Sequence, residues 1–154
     1  MVRILFCCYG NICRSTMAQF VLQHIVDKLG IADKVLIDSR ATSDEEDGNP
    51  PHRGTVKKLN EVGVPVLPHT AKQITLKDYD CFDYIIGMDA QNIRDLKTLL
   101  KGDPNGKIYK MLSFAGETRD IADPWFTGDF DATYDDVLRG CECFLEYLKN
   151  KRLI

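Results

Sequence analysis

Apolar and polar positions follow two different rhythms along this chain, and the change of rhythm marks its elements. Val2 to Phe6 is a short, nearly continuous apolar run, as expected of a strand buried on both faces. From Met17 to Leu29 the apolar residues recur at helical spacing, and Gly30 offers a C-cap. Val35 to Ile37 predicts a second short strand, with Asp38 and Ser39 at its carboxyl end. Asn49, Pro50 and Pro51 open a helix that runs to Val62 and stops at Gly63, since Pro suits a first helical turn. Leu76 to Cys81 reads as a short helix or turn, and Phe82 to Met88, aromatic and β-branched, as a central strand. Asp89 lies at the end of that strand, and Ala90 to Leu100 is an amphipathic helix. After a turn at Gly102 to Gly106, Lys107 to Leu112 predicts the last strand. The final helix, Ala132 to Lys149, places Val137, Leu138, Cys141, Leu145 and Leu148 on one face; Gly140 weakens it for no reason visible in the sequence.

Strands alternating with helices predict an α/β fold. Its core is a four-stranded, mostly parallel sheet with helices on both faces, wound by right-handed crossovers. At 154 residues the chain makes one domain with a self-sufficient core. A net charge of −3 leaves no basic footprint for nucleic acid. The apolar runs are too short for membrane insertion, and no signal peptide precedes the first strand, so a cytoplasmic location is expected. Six cysteines are present, but no Cys-x-x-Cys, and His24, His52 and His69 are scattered, so no metal is expected. Cys7 and Cys8 should point to opposite sides of the strand end.

Cys8-Tyr9-Gly10-Asn11-Ile12-Cys13-Arg14-Ser15 connects the first predicted strand to the first predicted helix. A helix N-terminus offers unpaired N–H groups and a dipole that favours anions. Backbone N–H groups from Tyr9 to Arg14 can curl into a nest around a tetrahedral anion. The Arg14 fork holds two of its oxygens. Gly10 and Asn11 tolerate the positive φ of a tight concave turn. A thiol is nucleophilic once ionised, which a helix N-terminus and a guanidinium favour, so Cys8 is the candidate for attack on phosphorus. Ser15 and Thr16 supply hydroxyls to the sulfur or to the helix cap. The Cys-x5-Arg spacing alone is weak; its position between strand and helix gives it weight.

This loop resembles the phosphate loop of the low-molecular-weight protein tyrosine phosphatases. The likeness extends over nearly the whole chain: Asp38-Ser39, Gly48-Asn49-Pro50-Pro51, Lys72-Gln73-Ile74-Thr75, Phe82-Asp83-Tyr84-Ile85, Met88-Asp89 and Asp123-Pro124. It implies that residues 1–154 are a single phosphatase domain hydrolysing phosphotyrosine in proteins, without a cofactor. Tyr9, Gly10, Asn11, Ile12, Cys13 and Ser15 would bind phosphate, with inorganic phosphate or vanadate as site ligands. Ser39, as a residue, reads as a turn hydroxyl; the resemblance makes it, with His69, a brace for Asn11 and Ser15 in the loop. Expelling a phenolate of pKa about 10 requires a proton donor. Asp120, Asp123, Asp129 and Asp131 are all available in the long loop Ser113 to Asp131, and the resemblance selects Asp123 through its Asp-Pro context. Tyr9, Glu45, Trp125 and Phe126 are then expected at the substrate rim.

The chain departs from that family where Thr16 replaces a frequent Pro, where Trp125-Phe126 replaces Tyr, and where Glu45 replaces an aromatic. The run Asp44-Glu45-Glu46-Asp47 would put negative charge beside the cleft or else merely solvate its loop. An exposed, ionised Cys8 is readily oxidised, so a peroxide-induced Cys8–Cys13 disulfide is expected, with Cys7 the competing partner. Three other functions share parts of the pattern. A thioredoxin-coupled arsenate reductase on the same fold needs two further cysteines close together, and Cys81 has none near it. A sugar phosphotransferase subunit has no need for Arg14 with Asp123, and a phosphotyrosine-binding module has no need for Cys8 or Asp123.

Overall fold

The computed structural model describes all residues from Met1 to Ile154. Strands β1 (Val2–Cys8), β2 (Val35–Ala41), β3 (Tyr84–Gly87) and β4 (Ile108–Lys110) form one sheet in the order β2-β1-β3-β4, parallel at every pairing. Six helices surround it: α1 (Arg14–Lys28), α2 (Arg53–Glu61), α3 (Leu76–Cys81), α4 (Ala90–Leu99), α5 (Pro124–Thr127) and α6 (Phe130–Asn150). The pleat of β1 divides the core. Ile4, Phe6 and Cys8 enter a large cluster with Met17, Val21, Leu59, Val137 and Phe144, whereas Leu5 and Cys7 enter a smaller one with Tyr79, Ile85 and Leu96. Burial on both faces explains the unbroken apolar run, and the adjacent cysteines do point opposite ways. No helix is long and apolar enough to cross a membrane.

Several boundaries differ from the sequence expectation, each for a physical reason. β2 continues through Asp38, Ser39 and Arg40, so Ser39 lies inside the strand and not at its end. Ser39 and Ala41 point inward, while Arg40 pairs with Asp38 at 2.9 Å on the other face. α1 starts at Arg14 because Cys13 O already accepts from Met17 N–H; its buried first turn is polar and invisible to apolar periodicity. α2 begins after both prolines, with His52 as its N-cap. β4 ends at Lys110, where Met111 to Ala115 turn into a 3₁₀ helix that buries Met111 and Leu112. On α6, Phe144 is fully buried and Leu138 only partly so.

The same 3₁₀ segment accounts for Gly140. A Cβ there would stand 2.7 Å from Met111 Cγ and 2.8 Å from Met111 Cε, and Met111 has no exposed surface into which to retreat. Gly140→Ala is expected to cost about 1–2 kcal/mol, overpacking outweighing the roughly 1 kcal/mol of helix propensity gained. A thermal melt should show Tm lower by a few degrees; an unchanged or higher Tm would mean that Met111 has room to move.

Candidate active site

With the strand order β2-β1-β3-β4, β1 and β3 are the central neighbours, and the chain leaves their carboxyl ends toward opposite faces: α1 packs in the large cluster, α4 in the small one. Such a divergence opens a crevice at the strand ends. The loop Tyr9 to Cys13 occupies it. Its carbonyls turn outward to donors elsewhere: Thr42 N–H to Cys8 O at 2.9 Å, Ser43 N–H to Tyr9 O at 3.0 Å, His52 N–H to Ile12 O at 2.8 Å. The N–H groups of Tyr9 to Cys13 donate to no acceptor in the protein.

Asn11 sets this curvature. Its φ is +57°, and its fully buried carboxamide uses all of its hydrogen-bonding capacity. Nδ2 donates to Ser15 Oγ at 2.7 Å and to Ser39 Oγ at 2.9 Å, while Oδ1 accepts from His69 Nε2 at 2.9 Å and Lys72 N–H at 3.3 Å. Ser39 Oγ in turn donates to Gln19 Oε1 at 2.5 Å. The structure therefore brings Asn11, Ser15, Ser39 and His69 together as expected, and adds Gln19. Gly10 departs from expectation, because its φ is not positive. What it provides is closeness: a Cβ there would sit 3.3 Å from Glu46 Cγ.

Around Cys8 the geometry converges. Ser15 Oγ lies 3.1 Å and Ser15 N–H 3.4 Å from Cys8 Sγ. Because Ser15 Oγ accepts from Asn11, its own proton is free to face the sulfur. Arg14 is 2% exposed; Nη1 donates to Asp89 Oδ2 at 2.7 Å and to Ile121 O at 2.8 Å, and Nη2 lies 3.5 Å from Asp123 Oδ2. Burial pushes the guanidinium down, but the Cys8 charge, the hydrogen bond with Asp89 and the charge of Asp123 outweigh it and raise its pKa. Cys13 is pushed up to about 12 by burial and by the charges of Cys8 and Asp123, so it stays a thiol.

Asp123 caps α5, its Oδ1 accepting from Trp125 N–H at 3.1 Å. Together with Tyr9, Gly10, Ile12, Glu45, Glu46, Trp125 and Phe126 it lines a cleft with Cys8 and Cys13 at its floor. Tyr9, Glu45, Trp125 and Phe126 thus share one cleft with Cys8. Tyr9 Oη donates to Glu45 Oε1 at 2.6 Å, which holds the acidic loop against the phosphate loop. Of the four acids, Glu45 and Glu46 face the cleft, whereas Asp47 accepts from Gln73 N–H at 3.0 Å. No group of three or more His, Cys, Asp or Glu side chains is placed to hold a metal ion.

Sequence reasoning gave no role to Gln19 or His52, and it placed Asp89 at the end of a strand without assigning it to the site. Asp89 is the N-cap of α4 as well: Oδ1 accepts from Asn92 N–H at 2.7 Å while Oδ2 holds Arg14. Its signal was an acid at the carboxyl end of a central strand.

A family model described as low molecular weight phosphotyrosine protein phosphatase matches residues 3–153. Over 154 residues, the chain is 34% identical to the low molecular weight protein-tyrosine-phosphatase YfkJ of Bacillus subtilis, covering 99% of each. The crystal structure of YfkJ superposes with a TM-score of 0.94 over 98% of this chain and 96% of that one. The low molecular weight protein tyrosine phosphatase SP-PTP of Streptococcus pyogenes is 43% identical with a TM-score of 0.86, covering 96% and 93%. DARP, a drosophila arginine phosphatase, is 32% identical with a TM-score of 0.86, covering 97% and 98%.

His69, which steadies Asn11, is pushed down by burial, against the raising charge of Asp38 and with the lowering charge of Arg40. In the unfolded chain it titrates near 6.5. Between the two values the unfolded state binds more protons, so stability falls as the pH drops through about 6.5. From about pH 7.5 to 5.5 the urea midpoint of the wild type should fall more steeply than that of His69→Gln, which keeps a donor for Asn11. Equal slopes would show that His69 does not titrate on unfolding.

Proposed function

Because the chain belongs to the low molecular weight phosphotyrosine protein phosphatase family, it is a protein tyrosine phosphatase, and we propose that it works through a phosphocysteine on Cys8. One observation carries this reading. Arg14 Nε is buried without a partner, beside a row of backbone N–H groups that also lack one. Buried donors left unpaired cost about 1–3 kcal/mol each, and a dianionic phosphate satisfies all of them at once.

Two displacements at phosphorus make up the proposed reaction. Cys8 Sγ attacks phosphorus; the S–P bond forms as the bond from phosphorus to the tyrosine oxygen breaks, and Asp123 gives that oxygen its proton. Loop N–H groups and Arg14 hold the three equatorial oxygens as their charge develops. Water then attacks phosphorus, Asp123 takes its proton, the S–P bond breaks and inorganic phosphate leaves. Asp89 and the Ile121 carbonyl occupy Arg14 Nη1, which turns Nε and Nη2 toward the substrate. Tyr9, Trp125 and Phe126, all exposed, offer apolar surface to an aromatic ring, which favours phosphotyrosine in a protein over phosphoarginine.

Arsenate reduction with thioredoxin would need two further cysteines in relay. Cys81 is exposed at the end of α3, whereas Cys7 and Cys141 are buried and Cys143 is half-buried on α6. A reversible Cys8–Cys13 bridge remains the redox reading, since Cys7 faces the opposite side of the sheet. Oxidation of Cys8 also removes one of the charges that keep Cys13 protonated.

Cys8→Ser should turn over phosphotyrosine at less than about a thousandth of the wild-type rate yet still bind vanadate. Turnover above that level, or thioredoxin-coupled arsenate reduction outpacing p-nitrophenyl phosphate hydrolysis in the wild type, would sink the reading. For specificity, Glu45 and Glu46 should favour phosphopeptides with Lys or Arg beside the phosphotyrosine, by at most about tenfold at low salt. Glu45→Gln with Glu46→Gln should reduce the basic-to-acidic preference; an unchanged ratio would reduce these carboxylates to solvation of their loop.

A further inference from the structure

We propose that His52 is a positioning residue for the acid: its ring fixes Trp125, and Trp125 fixes the carboxyl of Asp123. The proposal rests on the assignment of Asp123 as general acid. The two parts of Asp123's surroundings are held differently. Upstream, Ile121 N–H donates to Met88 O at 3.0 Å and Thr133 Oγ1 donates to Ala122 O at 3.2 Å. Downstream lies the four-residue turn α5, too short to be stable alone, in which Pro124 is buried but Trp125 and Phe126 are exposed. Within it, Trp125 N–H donates to Asp123 Oδ1 at 3.1 Å, so that oxygen follows Trp125, while Oδ2 has only the longer 3.5 Å contact with Arg14 Nη2. Trp125 is 58% exposed, and its aromatic partner is His52, edge to face with ring centroids 5.6 Å apart.

His52 is itself held at three points, two on its ring and one on its backbone. Its Nδ1 accepts from Gly54 N–H at 2.9 Å, which caps α2 and fixes the neutral tautomer with its proton on Nε2. Its other face stacks on Phe130, the first residue of α6, with centroids 5.4 Å apart and planes 20° from parallel. Its backbone N–H donates to Ile12 O in the phosphate loop at 2.8 Å. The close approach of α2 to α6 also depends on Gly54, where a Cβ would stand 2.4 Å from Phe130 Cε2 and Cζ. One residue thus links the backbone that binds phosphate to the turn that carries the proton. A helix cap needs no aromatic ring, and Asn caps as well as any residue; what the imidazole adds is the surface between Phe130 and Trp125.

The ring and the cap can be separated by substitution. His52→Asn keeps an N-cap acceptor and removes the ring; His52→Phe keeps a ring and removes the acceptor. The readout is the ratio of kcat/KM for phenyl phosphate to that for p-nitrophenyl phosphate, since only the poorer leaving group depends strongly on the acid. Asp123→Asn, measured alongside, should lower this ratio by about tenfold or more. His52→Asn is expected to lower it about three- to tenfold with Tm near the wild-type value. His52→Phe should leave it within about twofold while Tm falls. In the double variant His52→Asn/Asp123→Asn the ratio should match that of Asp123→Asn alone, because His52 acts only through the acid. Trp125→Leu, at an exposed position, should repeat the His52→Asn shift and serves if that variant does not fold. An unchanged ratio in His52→Asn or Trp125→Leu, an equal shift in His52→Phe, or a further shift in the double variant overturns the proposal. If Asp123→Asn itself leaves the ratio unchanged, the acid assignment fails first and the proposal falls with it.

Discussion

A buried carboxamide holds the active centre in shape. Asn11 adopts a left-handed backbone that costs a non-glycine residue about 1–2 kcal/mol, and it keeps that conformation because its side chain is bonded on both ends. Ser15 and Ser39 take its two protons, and His69 and Lys72 N–H fill its oxygen. These four partners come from α1, β2 and the connection before α3, so the curvature of the loop depends on tertiary structure already in place. Turning the chain at Asn11 also directs the flanking carbonyls outward to Thr42, Ser43 and His52. The inward donors follow from that, and so does the anion site. The same carboxamide donates to Ser15 Oγ and so holds that hydroxyl against Cys8 Sγ.

Electrostatics complete what the loop begins. Arg14 stands between Asp89 and Asp123, one contact short at 2.7 Å and the other loose at 3.5 Å. The short contact anchors the guanidinium, and the loose one leaves the Asp123 carboxyl free to turn, as the proposed acid must. Asp89 divides its oxygens between a helix cap and a cation, so the start of α4 and the aim of Arg14 are coupled through one side chain.

Much of this was legible in the sequence because it was local. The phosphate loop, the helix that follows it and the apolar runs of β1 and β3 all lie within contiguous segments, where periodicity and turn chemistry act directly. The choice of Asp123 as the proposed acid rests on the family resemblance, since spacing alone did not separate it from Asp120, Asp129 or Asp131. What stayed hidden was long-range. Ser39 sits inside an edge strand whose outward face is polar, so β2 ended early in the hydrophobic pattern. Asp89, Gln19 and His52 look like an ordinary cap, an exposed amide and a stray imidazole until the fold brings their partners over. Gly140 and Gly54 owe their identity to Met111 and Phe130, residues distant in sequence whose approach no local signal announces. Gly10 was identified correctly as a loop residue, for the wrong reason.

The pleat of β1 has one more effect. Cys7 and Cys8 are neighbours in sequence, yet Cys7 lies among Leu5, Ile85 and Leu96 while Cys8 opens on the cleft. Burial raises the pKa of Cys7, and the charge on Cys8 raises it further. The pleat therefore keeps Cys7 a buried thiol and turns only Cys8 to the cleft. Only one of the two sulfurs can meet a ligand in the cleft, so the proposed nucleophile keeps its identity even with an identical side chain one residue away.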